Sequence, residues 1–435
     1  MRRPCHGRMM KRRVVPVLAV ILILTSGCTS GPPDLDGDGI SDSEDLDIDG
    51  DGWDNDIELN CSTDQLISSS VPSDIDGDMI CDFLDSDDDG DLWGDFTELD
   101  CSTDPLDNSS VPADYDGDMI CDSLDQDADG DGLPNDWEQA RGFDYLDDQD
   151  YISCHGMTEY CMRTYDDFTF AESHNSFSTP EDGIIAGINH LTGLQSQWED
   201  GIRAFMLDPY HPSELQNERE DVVFCHALSL PNTPPCLFGS VDAFEWLRSL
   251  NSLHNNSTGD VVSLLIQNHR VPGEHLEYLL NETGILDRAY IHELGSPWPS
   301  IGDLSLSGTD VVVFIEMEYE DNFSKLLPAW KHTWDTPYGE SNQAEMTCNL
   351  GRGDSSQPVW HMNNWLSTFG LSDATKAEEV NEYSTLLDRA LLCWEQVGDR
   401  PTFIGVDYWE QGEVTNVTRT LNSMEHWSDD IPPRP

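Results

Sequence analysis

The sequence predicts an α/β protein, a TIM-type (β/α)8 barrel preceded by a calcium-loop repeat segment with little regular secondary structure. Three observations lead there. Beyond residue 165, short apolar runs alternate with segments of helical spacing, the pattern of β/α units. Polar residues follow those runs one after another, where barrels carry their chemistry. Before residue 150 the chain is acidic and repeats itself, the stretch from Trp53 to Asp89 returning as Trp93 to Asp129.

Length and charge set the bounds. The chain has 435 residues, enough for two or three domains. Its formal net charge is -64, the opposite of the basic footprint that nucleic-acid binding needs. About forty of the 85 acidic residues lie between Asp34 and Asp150, where Arg141 is the one basic residue. Cations are the natural partners of such a block.

The N-terminus reads as a targeting segment over residues 1–27. Arg2, Arg3, Arg8, Lys11, Arg12 and Arg13 form a basic region, and residues 14–24 form an apolar run too short for a membrane span. Thr25-Ser26-Gly27-Cys28 follows and resembles the lipobox of prokaryotic lipoproteins, with Thr25 where Leu is commoner. That resemblance implies acyl chains on Cys28, a linker over 28–33, and a protein held on the outer face of a prokaryotic cell membrane. Setting aside Cys5 and Cys28 leaves ten of the 12 cysteines, an even number that fits an oxidising compartment. Proximity pairs Cys61 with Cys81, Cys101 with Cys121, Cys154 with Cys161 and Cys225 with Cys236; Cys348 and Cys393 are left over.

The acidic segment, 34–150, contains six loop spacings suited to Ca²⁺. Asp34, Asp36, Asp38, Asp42 and Asp45 hold positions 1, 3, 5, 9 and 12 of the first, with Gly39 at position 6. Asp47, Asp49, Asp51 and Glu58 make the second, around Gly52. The others carry Asp74, Asp76 and Asp78; Asp87, Asp89 and Asp91; Asp114, Asp116 and Asp118; and Asp127, Asp129, Asp131 and Glu138. Hard oxygen ligands at these offsets wrap one chain around a cation, and Gly makes the sharp turn. Met79, Leu92 and Met119 stand in for Gly, so weaker or differently turned sites are expected there. The repeats resemble thrombospondin type 3-like repeats, which implies a calcium-stabilised extracellular spacer.

After a linker at 151–165, the barrel is expected over 166–425, with a short tail at 426–435. Candidate strands are 168–171, 203–207, 222–224, 261–266, 311–315, 359–362 and 402–406, and candidate helices include 241–253 and 377–395. A doubly wound sheet is the alternative. His174 and Asn175, Asp208, His226, Gln267 and Asn268, Glu316 and Asp407 follow the apolar runs. Seven other histidines, including His190, are assigned to structural hydrogen bonding. Trp330, Trp365 and the neighbouring tryptophans are assigned to packing, and Glu316 and Glu318 to a solvated rim.

Ser173-His174-Asn175-Ser176-Phe177, the run from Gly201 through Arg203 to Tyr210, Cys225-His226 and Val406-Asp407-Tyr408 together resemble the phosphatidylinositol-specific phospholipase C X-domain family, most of all its secreted, plant-type members. The resemblance implies a TIM-type barrel that cleaves a glycerophospholipid by internal attack. It implies His174 as general base and His226 as general acid. Asp407 would orient His174, Arg203 would balance phosphate charge or form a structural ion pair, Asp208 would complete the catalytic set, and Asn175, Gln267 and Asn268 would meet substrate. Met206 and Gln267 stand where the calcium-dependent branch has carboxylates, so calcium is expected in the repeats and a catalytic metal is doubtful. Two other readings compete. A glycerophosphodiester phosphodiesterase or phospholipase D-like enzyme needs a Glu-x-Asp pair, and Met206-Leu207-Asp208 lacks the Glu. An inactive surface-binding protein is the other.

Overall fold

The computed structural model describes residues 32–212, 218–226, 236–268, 270–316, 323–368 and 371–434. The targeting segment with Cys28, and also His269 and Glu318, lie outside them. Chain contacts define two compact units, one ending at Asp125 and one running from Gln126 to Pro435. Among the described residues, no helix is long and apolar enough to cross a membrane.

The first unit is a string of Asp loops. Asp34, Asp36 and Asp38 bring carboxylate oxygens within 4.8 Å of one another, and so do the triplets beginning at Asp47, Asp74, Asp87 and Asp114. Among the described residues of this unit, regular structure is limited to the short helices Asn55–Asn60 and Asp95–Cys101. Disulfides Cys61–Cys81 and Cys101–Cys121 join each helix to the next loop. Met79, Leu92 and Met119 adopt φ of 76°, 86° and 72°, close to Gly39 and Gly52 at 100° and 104°. The expectation of a different turn is therefore corrected. The amide at position 6 donates to the first Asp of the loop whether it belongs to Gly52 (3.0 Å), Met79 (3.3 Å) or Leu92 (3.2 Å), and that bond holds the turn against a side-chain cost of about 1–2 kcal/mol.

The second unit holds an eight-stranded parallel sheet. Its strands are β1 (Phe170–Ser173), β2 (Ala204–Leu207), β3 (Val262–Ile266), β4 (Val311–Ile315), β5 (Leu327–Pro328), β6 (Thr333–Asp335), β7 (Val359–Asn364) and β8 (Phe403–Val406). The order across the sheet is β5-β4-β3-β2-β1-β8-β7-β6. That is sequential order with the first strand against the last, the order of a (β/α)8 ring opened between β5 and β6; it is not doubly wound. Ser173 pairs with Val406 on one side and with Phe205 on the other.

Strand alternation divides the interior in two. Phe170, Met206, Leu265, Phe314 and Phe403 fill the ring, while Phe205, Leu207, Leu264, Val313 and Ile404 pack outward against helices. The ring also holds a buried pair, His361 with Glu172 at 3.1 Å. Two expected elements differ. The 222–224 run contributes Val223–Phe224 to a small antiparallel sheet with Pro209–Tyr210 and Val241–Asp242, outside the barrel ring. The 377–395 helix is two helices, Ala374–Val380 and Tyr383–Val397. Asn381 breaks it by donating its side-chain amide to the Asp407 carbonyl, and the Glu382 carboxylate caps the second helix.

All four anticipated disulfides form, and Cys348 pairs with Cys393. That fifth bond ties the β6–β7 loop to the Tyr383–Val397 helix. Replacing both with Ala should cost about 2–4 kcal/mol, read as a lower urea midpoint with a slope that rises, because the unfolded chain loses a cross-link and expands.

Candidate active site

The C-terminal ends of the strands carry the polar residues. Each continues the inward row of its strand: His174 after Phe170 and Glu172, Asp208 after Met206, Gln267 after Leu265, Glu316 after Phe314, Asp407 after Phe403. Period-two alternation thus aims all five into one mouth.

His174 anchors it. Its Nδ1 lies 2.8 Å from Asp407 Oδ1. Asp407 is buried and also accepts from Ser372 Oγ (2.7 Å) and Asn189 Nδ2 (2.7 Å). Burial alone would push the Asp407 carboxyl up; His174, Ser372 and Asn189 outweigh it and hold it below the ordinary carboxylate value. An ionised Asp407 fixes Nδ1 as the donor and leaves Nε2 free to take a proton. The imidazole lies flat on Trp365, centroids 4.0 Å apart and planes 8° apart. His190 Nε2 donates to the His174 carbonyl at 2.8 Å, and burial holds His190 below its ordinary value, hence neutral. Ser173 Oγ donates to Gln197 Oε1 at 2.8 Å and lies 2.7 Å from Ser176 Oγ, so the loop below the imidazole is pinned as well.

Asn175 and Tyr408, the residues after His174 and Asp407, have φ of 52° and 48°. Side chains cost about 1–2 kcal/mol there, and such strain gathers at functional sites.

Asp208 is buried, and its Oδ1 has no partner. Burial raises it to about 7; the charge of His174 pulls it down and that of Glu316 pushes it up. Asn175 Oδ1 is also buried and without a partner. These two oxygens suit a hard cation. Met206 adds none, since its side chain fills the ring beside Gly405. Gln267 turns its amide to Glu316 Oε1 at 3.0 Å. His226 follows a strand outside the barrel ring. Cys225 N donates to the Asp208 carbonyl at 3.1 Å, continuing the Pro209–Phe224 ladder, so the hairpin brings His226 back to the end of β2.

Arg203 and Asn268 do not reach the mouth. Arg203 precedes β2, at the opposite end of the barrel from His174. It binds Asp260 (3.0 Å) and the Trp198 carbonyl (2.7 Å) and stacks on Trp198. Strand polarity decides this, because a residue before a barrel strand lies at the N-terminal end. Asn268 closes a turn onto Val271.

A cation in the β6–β7 loop was not anticipated. Arg352 binds Asp335 Oδ2 through Nη2 (2.6 Å) and Nε (3.0 Å), and Glu316 Oε1 through Nη1 (2.9 Å). It packs over Trp330 and Tyr338. It thus links the ends of β4 and β6 across the open side of the ring. Glu316 is held in this ion pair and is no solvated rim residue. The sequence hides Arg352, since Gly351-Arg352-Gly353 follows no apolar run.

A family model described as PI-PLC X 1 matches residues 160–422. The chain belongs to the PI-PLC X family. Among curated relatives it resembles the "PI-PLC X domain-containing protein 1" of Arthroderma benhamiae, 26% identical over 295 residues, which covers 63% of this chain and 91% of that one. It also resembles an "Uncharacterized secreted protein" of the same organism, 26% identical over 309 residues, of whose length it spans 64%. Among solved structures it is similar to the phosphatidylinositol-specific phospholipase C of Listeria monocytogenes, with 10% identity, a TM-score of 0.41 and coverage of 61% and 96%. It is also similar to a calcium-dependent phosphoinositol-specific phospholipase C of a Pseudomonas species, with 8% identity, a TM-score of 0.33 and coverage of 58% and 93%. The structural likeness is loose; membership in the PI-PLC X family rests on the match over 160–422.

The Asp407 network yields an acid-stability prediction. A carboxyl held below its unfolded value of 3.8 adds stability that is full above that pH and is lost as pH falls through its folded value. Asp407→Asn should cost about 1–3 kcal/mol at neutral pH by urea unfolding. The gap to the parent protein should narrow below pH 3.8.

Proposed function

We propose that this barrel is a phospholipase C-like phosphodiesterase that cleaves an inositol glycerophospholipid at an exported surface. The observation that carries the reading is the His174–Asp407 pair, with its imidazole Nε2 left for proton transfer at the barrel mouth. His174 takes the proton of the inositol 2-hydroxyl at Nε2. The oxygen attacks phosphorus, the bond to the glycerol oxygen breaks, and a cyclic phosphodiester forms. His226 gives its proton to the departing diacylglycerol oxygen. Asp407 holds the tautomer and balances the imidazolium. Trp365 covers one face of the ring and limits it to in-plane exchange. Arg352, in place of Arg203, faces the phosphodiester charge. A hard divalent cation, where one binds, would be held by Asn175 and Asp208 with Glu316 beside them, and would supply charge neutralisation.

Calcium in the Asp loops belongs to the same proposal. Glu58 and Glu98, at position 12 of their loops, are fully buried with unpartnered carboxylate oxygens, a costly arrangement without a cation. Acylation at Cys28 would hold the protein at the outer membrane face, with the acidic segment as spacer. The glycerophosphodiesterase reading loses ground because Met206 occupies the ring interior.

The test is product analysis on a panel of phosphodiesters with and without chelator. A cyclic inositol phosphate is expected, and His174→Ala and His226→Ala should each lower kcat about 10²–10⁴-fold. Arg352→Met should lower kcat/KM on the same substrate. No turnover by the unaltered protein would overturn the enzymatic reading. For the acidic segment, chelator should expand residues 32–125 in solution scattering, as freed carboxylates repel.

A further inference from the structure

We infer that the sixth Asp loop, residues 127–138, is a structural site for a hard divalent cation belonging to the catalytic unit. The inference rests on the calcium reading above and goes beyond it, because it makes cation binding a property of the barrel itself.

The loop is built as a ligand site. Gly132 N donates to Asp127 Oδ2 at 3.1 Å, and Leu133 N to Asp131 Oδ1 at 2.7 Å, so the chain wraps around an inward space. Glu138, at position 12, is fully buried, and neither of its carboxylate oxygens has a partner. Asp129 Oδ2 and Asp131 Oδ2 are likewise buried without partners. Asp129 and Asp131 lie close enough for their charges to act on Glu138. A bound Ca²⁺ satisfies all of these oxygens at once.

What separates this loop from the earlier ones is its surroundings. The boundary between the compact units falls at Gln126, just before it. Position 7 is Trp53 and Trp93 in the matching loops and Leu133 here; Leu133 is fully buried in one apolar cluster with Tyr160, Tyr165, Phe168, Phe170 and Phe403. That cluster fills the barrel from its N-terminal end. Trp137, one residue before Glu138, packs on Gly302, where an added Cβ would come within 2.8 Å of the indole. The cross-link is rerouted too. Where the two repeats carry Cys61 and Cys101, the equivalent position here is Arg141, whose guanidinium binds Asp303 at 2.9 Å. Cys161, the counterpart of Cys81 and Cys121, bonds instead to Cys154. Residues 151–165, expected as a linker, are the packed bridge between loop and ring: Cys154, Cys161 and Tyr165 are fully buried, and Tyr165 Oη meets Ser263 Oγ at 2.6 Å.

A cation here therefore holds the plug formed by Leu133 and Trp137, and its loss loosens the barrel from below. The experiment uses the full chain and compares excess Ca²⁺ with chelator. It follows hydrogen exchange of peptides covering 298–315, thermal unfolding, and total calcium bound. Chelator should raise exchange in 298–315 and lower the melting temperature by about 5 °C. Glu138→Gln should place that peptide in the chelated state at any Ca²⁺ level, whereas Glu98→Gln, the same position in the preceding repeat, should leave its calcium response intact. If Glu138→Gln fails to accumulate, Asp131→Asn gives the milder version. Calcium bound by the chain with a barrel peptide indifferent to it, or a normal response in the position-138 variant, overturns the inference and spares the calcium reading. No calcium bound at all overturns both.

Discussion

The hydrogen bond between His174 and Asp407 joins residues 233 apart in the chain. It exists only because β1 lies between β2 and β8. Once that closure forms, the rest of the mouth follows: Asn189 and Ser372 reach Asp407 from separate loops, Trp365 covers the imidazole, and His190 fixes its backbone. The two strained residues beside the pair, Asn175 and Tyr408, are tolerated because these bonds outweigh their cost.

Buried charge is the second theme. Inside the ring, Glu172 and His361 pair where most barrels stack aliphatic groups. At the mouth, Arg352 offsets Glu316 and Asp335, while burial raises Asp208 against the opposing pull of His174. In the Asp loops, Glu58, Glu98 and Glu138 are buried with carboxylate oxygens that have no partner. Each case follows one rule: a charge taken from water needs a partner or gives up its charge. In the barrel, ion pairs such as Arg352 with Glu316 and Asp335 meet it.

The open side of the ring shows how function and closure interact. β5 and β6 are two and three residues long and do not pair. Arg352 bridges that gap with side-chain bonds, and the Cys348–Cys393 bond holds its loop. These short strands escaped notice in the sequence because two or three residues show no period. The same loop hid Arg352.

The sequence by itself determined the class of the barrel, the positions of most of its strands, the six Asp loops, four disulfides, and His174, Asp208, His226 and Asp407 as residues after apolar runs. Those are local signals, carried by period, spacing and motif. The tertiary structure decided which end of a strand a residue occupies, and so removed Arg203 from the mouth. It decided that His226 arrives by a hairpin and not a barrel strand. It drew Arg352, Asn189, His190 and Trp365 to the site, and it divided the Asp loops, joining the sixth to the barrel. These depend on contacts between residues far apart in the chain, set by ring closure and core packing, and no local pattern encodes them.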